Sequence, residues 1–358
     1  MTIDNLIRKY LTELLAIPSP TGYTGEVVAY LCKQLATLSV DYRVTNRGAV
    51  IASVGGPPKT DEVNASVSRA IMLHVDTLGA MLSEIEADGT LRLAMLGSWS
   101  ARFAEGARVS LISDQRVFRG TILPQKASGH VYAHAVDSQP VGWDNLRLRL
   151  DERIYSKTDV VALGIRLGDV VAVDSVPEFT DNGFINARHL DDKAAVAVVL
   201  AILATQAQQQ AQQSSAQAAI QPCDIIFTVS EEIGTGAQHA ISPTIKECLA
   251  IDISTADCKQ NTCDGGVTLV YKDASGPYDR QLTQQLEVIC QRLGIAYSRD
   301  VFRYYRSDAS AAIEAGHDIR CALACFEVDG SHGYERTHMD SLLALASLLQ
   351  GYLRQNSA

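Results

Sequence analysis

The chain is short of several features that would point to common functions. Its eight cysteines, at 32, 223, 248, 258, 263, 290, 321 and 325, include no CxxC pair. Neither a disulfide framework nor a thiolate zinc site is signalled, and the thiols fit a reduced, cytoplasmic setting. No apolar stretch approaches the length of a membrane span. Lys and Arg total 31 against 41 Asp and Glu, a net charge of −10, which leaves no basic footprint for a nucleic acid. The opening MTIDNLIRKYLTELLAIPSP spaces Ile3, Leu6, Ile7, Leu11, Leu14 and Leu15 along one helix face among charged residues. An export signal would have a basic start and an unbroken apolar block, so a first helix ending near Pro18 is expected instead.

What is present is ordinary globular composition, 47% apolar and 20% charged over 358 residues, a length that suggests two domains. Up to residue 77 the pattern is helix, strand, strand: VVAYLCKQLATL is amphipathic, RGAVIASVG is strand-like, and AIMLHVDTLG is a buried strand ending in polar residues. GGPPKTDEVNASVSR between the last two reads as a surface loop. From 78 to 176 the texture changes to short alternating runs such as TLRLAML, ARVSLIS, RVFRGTIL and NLRLRL, which predict an inserted small all-β barrel. LDDKAAVAVVLAILATQA, DIIFTVSEE and ECLAIDIS then resume the helix and strand pattern. The fold class expected is α/β, an open mixed sheet with helices on both faces, built from 1–77 and 177–358 and interrupted by the barrel. The Gln/Ala tract at 206–221 has few large apolar groups and carries no function in this reading.

Ligands of open α/β sheets sit outside the carboxyl ends of the strands, so polar residues ending apolar strands are the candidates. LHVDTLG offers His74 and Asp76, which lie two apart and therefore on one side of an extended chain. TVSEEIGTG offers Glu231 and Glu232, AIDIS offers Asp252, and the run after CFEV offers His332 and His338; the long helix opens with Asp191 and Asp192. Singly, each has an ordinary structural explanation, such as a helix cap or a solvated turn. Together, two histidines and several carboxylates make a nitrogen-and-oxygen donor set suited to zinc first, then cobalt or manganese. A bridging carboxylate, terminal ligands and one spare glutamate are the parts of a hydrolase using two divalent ions per chain.

With these residues in view, the sequence resembles the dinuclear metalloaminopeptidases of metallopeptidase family forty-two, the glutamyl and deblocking aminopeptidases that include the tetrahedral TET particles. IPSPTG, HVDTLGAM, ARHLDDKAAVAVVL, TVSEEIGTGA, AIDIS, SDAS and THMDS occur in order almost from end to end. The resemblance implies Asp191 as the bridging ligand, His74, Glu232, Asp252 and His338 as the remaining ligands, Glu231 as general base, and Asp76 as the group orienting His74. It implies two metal ions, cleavage of the N-terminal amide bond of short peptides or amino acid amides, and a homodimer built on the barrel, extended in some members to a dodecamer. The barrel itself is expected to contribute nothing to the metal site. Where family members carry a glycine-rich run, this chain has RYYRSDAS, and SHGYERTH precedes the last proposed ligand. Both are similar to a subgroup associated with N-acetylglutaminylglutamine amide, an osmoprotectant. They predict a substrate pocket of Tyr305, Arg306 and Asp308 that favours Gln- or Glu-type side chains, an Arg being able to grip oxygens in a planar fork. His332 is read as an exposed turn residue, and His189 as close enough to Asp191 to line the site. An N-acyl amino acid deacylase would use the same metal site and stays as the alternative.

Overall fold

Alternation within the central strands decides how the molecule is layered. In the strand Arg69–His74, Ile71 and Leu73 enter one apolar cluster while Ala70 and Met72 enter another on the opposite face. Ile225 and Phe227 part from Ile226 in the same way in Cys223–Thr228. Successive side chains of a strand point to opposite faces, so this sheet is dry on both. The structure, a computed structural model, describes residues 1–56, 68–211 and 220–355. Most of the loop expected after Val54 and residues 212–219 of the Gln/Ala tract lie outside the described residues.

The sheet has eight strands in the order Asp41–Val44, Val50–Val54, Cys223–Thr228, Arg69–His74, Glu247–Thr255, Arg320–Val328, Val267–Lys272 and Tyr297–Val301. The third to sixth of these run parallel, and antiparallel neighbours flank them on both sides. Helices cover both faces, as expected, but unevenly. Ile3–Leu15, Gly25–Thr37, Leu190–Ala211, Arg280–Leu293 and Met339–Arg354 pack on one face, and the short Asp308–Glu314 with the turn Ala237–His239 packs on the other. In Leu190–Ala211 every residue from Ala194 to Ala204 is buried, so this helix is apolar all round because it has neighbours all round. Buried Lys193 donates Nζ to the carbonyls of Leu14 (3.0 Å) and Ile17 (2.6 Å), tying the first helix to it.

The inserted region closes into a six-stranded antiparallel barrel in the order Gly79–Ile85, Leu91–Leu96, Leu146–Leu150, Val117–Pro124, Arg108–Ile112 and Val170–Val173. Its core, including Leu82, Leu111, Phe118, Ile122 and Leu148, is an apolar cluster separate from those of the sheet. Closure leaves no free edge along these strands. The chain returns from the barrel through a small sheet of Glu178–Phe179, Phe184–Ala187 and Glu335–His338. Ala187 pairs with Glu335 there, which sets the residues before the long helix beside the turn at 330–334. The eight cysteines are all unpaired.

Separate cores predict separable stability. Phe118→Ala and Phe326→Ala each remove a fully buried ring, 1% and 0% exposed, at a cost of about 3–5 kcal/mol. We expect Phe118→Ala to lower only a barrel transition in thermal denaturation and Phe326→Ala only a sheet transition. One shared transition moved equally by both would show a single cooperative unit.

Candidate metal centre

The parallel strands deliver the site. His74 is the last residue of Arg69–His74 and is paired in register with Thr228; Glu231 and Glu232 open the 3₁₀ turn that follows that neighbouring strand. Asp252 lies toward the carboxyl end of Glu247–Thr255, two residues past the Ala250–Met72 pair. Asp191 arrives from the start of Leu190–Ala211. Donor atoms of His74, Glu231 and Asp252 lie within 4.8 Å of one another, and so do those of His74, Asp191 and Glu232. Asp191 is placed between two imidazoles: its Oδ1 is 3.0 Å from His74 Nε2 and its Oδ2 is 3.4 Å from His332 Nε2. Glu232 Oε2 is 3.8 Å from the same His332 nitrogen.

Hydrogen bonds behind these groups fix their aim. His74 Nδ1 is 3.0 Å from the Asp76 carbonyl and 3.6 Å from its carboxylate, so the backbone oxygen makes the closer contact. With Nδ1 so engaged, Nε2 faces the cluster. The Asp76 carboxylate instead accepts from the Thr21 hydroxyl (2.7 Å) and from the backbone N–H groups of Glu231 (3.0 Å) and Glu232 (3.3 Å), holding the paired glutamates in their turn. Glu335, buried, accepts from the backbone N–H of Asp191 (3.1 Å) with one oxygen and from that of His332 (3.0 Å) with the other. It was not a sequence candidate, although it stands three residues after His332 in a polar run.

Several sequence expectations are corrected. His338 is not brought to the cluster. Its Nδ1 accepts from Asp340 N (3.1 Å) as the cap of the last helix, its Nε2 is 2.8 Å from the Asn182 carbonyl, and its ring stands edge-on to Phe184. Both nitrogens are therefore occupied away from the site. His332 takes the place instead: its backbone adopts φ +63°, which turns the ring inward, and Nδ1 bonds the Ser98 carbonyl at 2.9 Å. Ser98 belongs to the inserted region, so that region does contribute to the site; Leu78 and Trp99 also line the cleft beside His332. Gly97 suits this approach because its φ of +81° is one that L side chains rarely adopt. Arg306 is exposed and pairs with Glu314 at 2.5 Å, not with anything in the cluster. Asp308 is buried, accepting from the Thr228 hydroxyl and from Ala237 N; a Cβ on Gly236 would collide with it. It braces the SEEIGTG turn from beneath. Of the three pocket residues, only Tyr305 faces the cluster, with its buried hydroxyl unpartnered and close enough to Asp252 to be raised by it as well as by burial. His189 lines the cleft, with Nε2 on the Val173 carbonyl.

So many acids in one dry volume oppose one another. Burial, then Asp191, pushes Asp252 up to about 7; burial, then neighbouring acids, also raises Glu231 and Glu232. His332 rises to about 10, burial being outweighed by Asp191 and Glu232. Asp192 Oδ1 is buried without any hydrogen-bond partner. Acids pushed toward protonation, imidazole nitrogens turned inward and an orphaned carboxylate oxygen together fit divalent cations. The imidazole and carboxylate donors suit zinc, cobalt or manganese.

Comparison with known proteins agrees. The profile of the M42 glutamyl aminopeptidase family matches residues 48–348. "Putative aminopeptidase YhfE" of Bacillus subtilis (strain 168) is 38% identical over 357 residues, 99% of each chain. The aminopeptidase APDkam598 of Desulfurococcus kamchatkensis shares the fold at TM-score 0.83 and 20% identity, with 99% of this chain and 96% of that one covered. The Pyrococcus horikoshii TET1 peptidase, described as assembling into a tetrahedron or a large octahedral shell, gives 0.82 at 19%, covering 98% and 100%.

Glu335 should act through the two candidate ligands, Asp191 and His332, whose backbone N–H groups it accepts from. Glu335→Gln puts an N–H₂ against one of two backbone N–H groups, and we expect zinc affinity to fall about 10–100-fold with secondary structure retained. Calorimetric titration of metal-free protein measures it, and an affinity equal to wild type would remove Glu335 from this role.

Proposed function

Because the chain belongs to the M42 family of glutamyl aminopeptidases, which is metal-dependent, we propose that this aminopeptidase holds two divalent ions per chain and releases the N-terminal residue of short peptides. The observation that carries the proposal is the position of Asp191, with one carboxylate oxygen toward His74 and the other toward His332. Asp191 would serve both ions, with His74 and Asp252 holding one and Glu232 and His332 the other. Zinc is the first choice, with cobalt or manganese as alternatives. When bound, the ions polarise the scissile carbonyl and make water ionisable near neutral pH.

The protein's own groups then do the positioning and proton transfer. Glu231 is only partly buried and its backbone is tied to Asp76, so its carboxylate is held at the cluster where it would take a proton from the attacking water and pass it to the leaving nitrogen. Asp76 and Glu335 hold the ligands so that little rearrangement is needed. We assign self-association to the barrel, which exposes Val131, Tyr132 and Val141. The glutaminylglutamine-type amide implied by RYYRSDAS has no support from Arg306, whose partner is Glu314.

Metal counting by elemental analysis tests the assignments. Asp191→Ala should lose both ions and His332→Ala one, while His338→Ala should keep two; a His338→Ala protein that loses an ion would restore the ligand role to that residue. Glu231→Gln should keep its metal and lose at least about a hundredfold in turnover of a leucyl amide, whereas Glu232→Gln should lose metal. Identical behaviour of the two glutamate variants would show the roles to be wrong.

A further inference from the structure

Apart from the imidazoles, the cleft beside Asp191, Glu232 and His332 is lined by one basic side chain, Arg188. It sits three residues before Asp191, its backbone N–H donating to Ser175 at 2.8 Å. Its place is therefore set by the same segment that sets the proposed bridge. A guanidinium has five N–H donors. Here Nη2 donates to the Phe103 carbonyl at 2.8 Å, and among the described residues Arg188 makes no ion pair. Glu335, the acid whose charge acts on it, has each oxygen engaged by a backbone N–H group. Two arginines on the barrel wall, by contrast, are matched, Arg108 with Asp151 and Arg119 with Asp174.

A half-buried cation with most of its donors unspent, inside the cleft, is set to receive an anion from outside the protein. From this placement we infer that Arg188 is a specificity-determining residue that binds a carboxylate of the substrate. The inference rests on the aminopeptidase reading above. Burial lowers the affinity of Arg188 for its proton, which is the direction expected of a cation short of a counter-charge. A carboxylate matches the planar fork in two parallel hydrogen bonds. The carboxylate has two possible sources, an acidic N-terminal side chain or the carboxyl terminus of a dipeptide.

The test compares kcat/KM of the metal-loaded wild type, Arg188→Gln and Arg188→Lys on three substrates. Glutamyl anilide carries only a side-chain carboxylate, leucylglycine only a terminal one, and leucyl amide neither. Relative to leucyl amide, one of the first two should fall about 10–100-fold in Arg188→Gln, mainly through KM. Which one falls identifies the carboxylate, and Arg188→Lys should recover part of the loss by restoring charge without the fork. Substrate ratios unchanged in Arg188→Gln overturn the inference. Calorimetric binding of free glutamate and of leucinamide to the same proteins reads the contrast without turnover. A fall confined to glutamate supports it and equal affinities refute it. Failure of wild type to cleave any of the three substrates would count against the aminopeptidase reading, and the binding contrast would still decide the place of Arg188.

Discussion

The arrangement depends on the electrostatic cost of gathering Asp191, Asp192, Glu231, Glu232, Asp252, Asp308 and Glu335 at one end of a sheet. Buried carboxylates repel one another and lose hydration, and a folded protein tolerates them only with donors or cations close by. Much of the local structure answers that demand. Backbone N–H groups of Glu231, Glu232, Asp191, His332 and Ala237 are each spent on a carboxylate. Asp76, Asp308 and Glu335 thereby become struts, and the acids left facing inward are those with the fewest protein donors.

The sheet supplies the frame because parallel strands end together. Thr228 opposite His74, and Asp252 just past the Ala250–Met72 pair, follow from register alone. The barrel is less detached than its separate core suggests. Its segment at 97–99 crosses to the catalytic side, gives His332 a carbonyl at Ser98 and anchors itself through Trp99 Nε1 on the Gly79 carbonyl. Hydrogen bonding at Nδ1 leaves Nε2 as the nitrogen available to a cation. A movement of the barrel would therefore be felt at a candidate ligand.

The strand ends were legible in the sequence because each is a run of apolar residues that stops abruptly at His, Asp or Glu. The barrel was legible from the change to period-two alternation, and the long helix from its unbroken apolar content. The choice between His332 and His338 was not. Both follow the same strand, and nothing in SHGYERTH tells which ring turns inward. That is decided by a left-handed backbone at His332, by a carbonyl 234 positions away in sequence, and by a helix cap that consumes His338. Gly330 and Gly333 mark the segment as a turn, but a turn alone does not say which ring points inward.

The arginine beside the pocket shows the same limit from another direction. RYYRSDAS brings Tyr305 to Asp252 and buries Asp308, so the segment does meet the site. The extended chain then carries Arg306 outward, and Glu314 at the end of the following short helix is within its reach. An exposed pair of this kind stabilises little, yet it removes the guanidinium from the list of groups that could meet a substrate. Arg188 reaches the cleft by topology: the pairing of Ala187 with Glu335 places the next residue against it, where its side chain makes no ion pair among the described residues. Sequence proximity to a motif residue was thus a poor guide for both arginines, one of them three positions from Asp191 and passed over, the other two from Asp308 and chosen. What separates them is the partner each has taken within the fold: Arg306 spends its charge on a carboxylate, whereas Arg188 meets a backbone carbonyl.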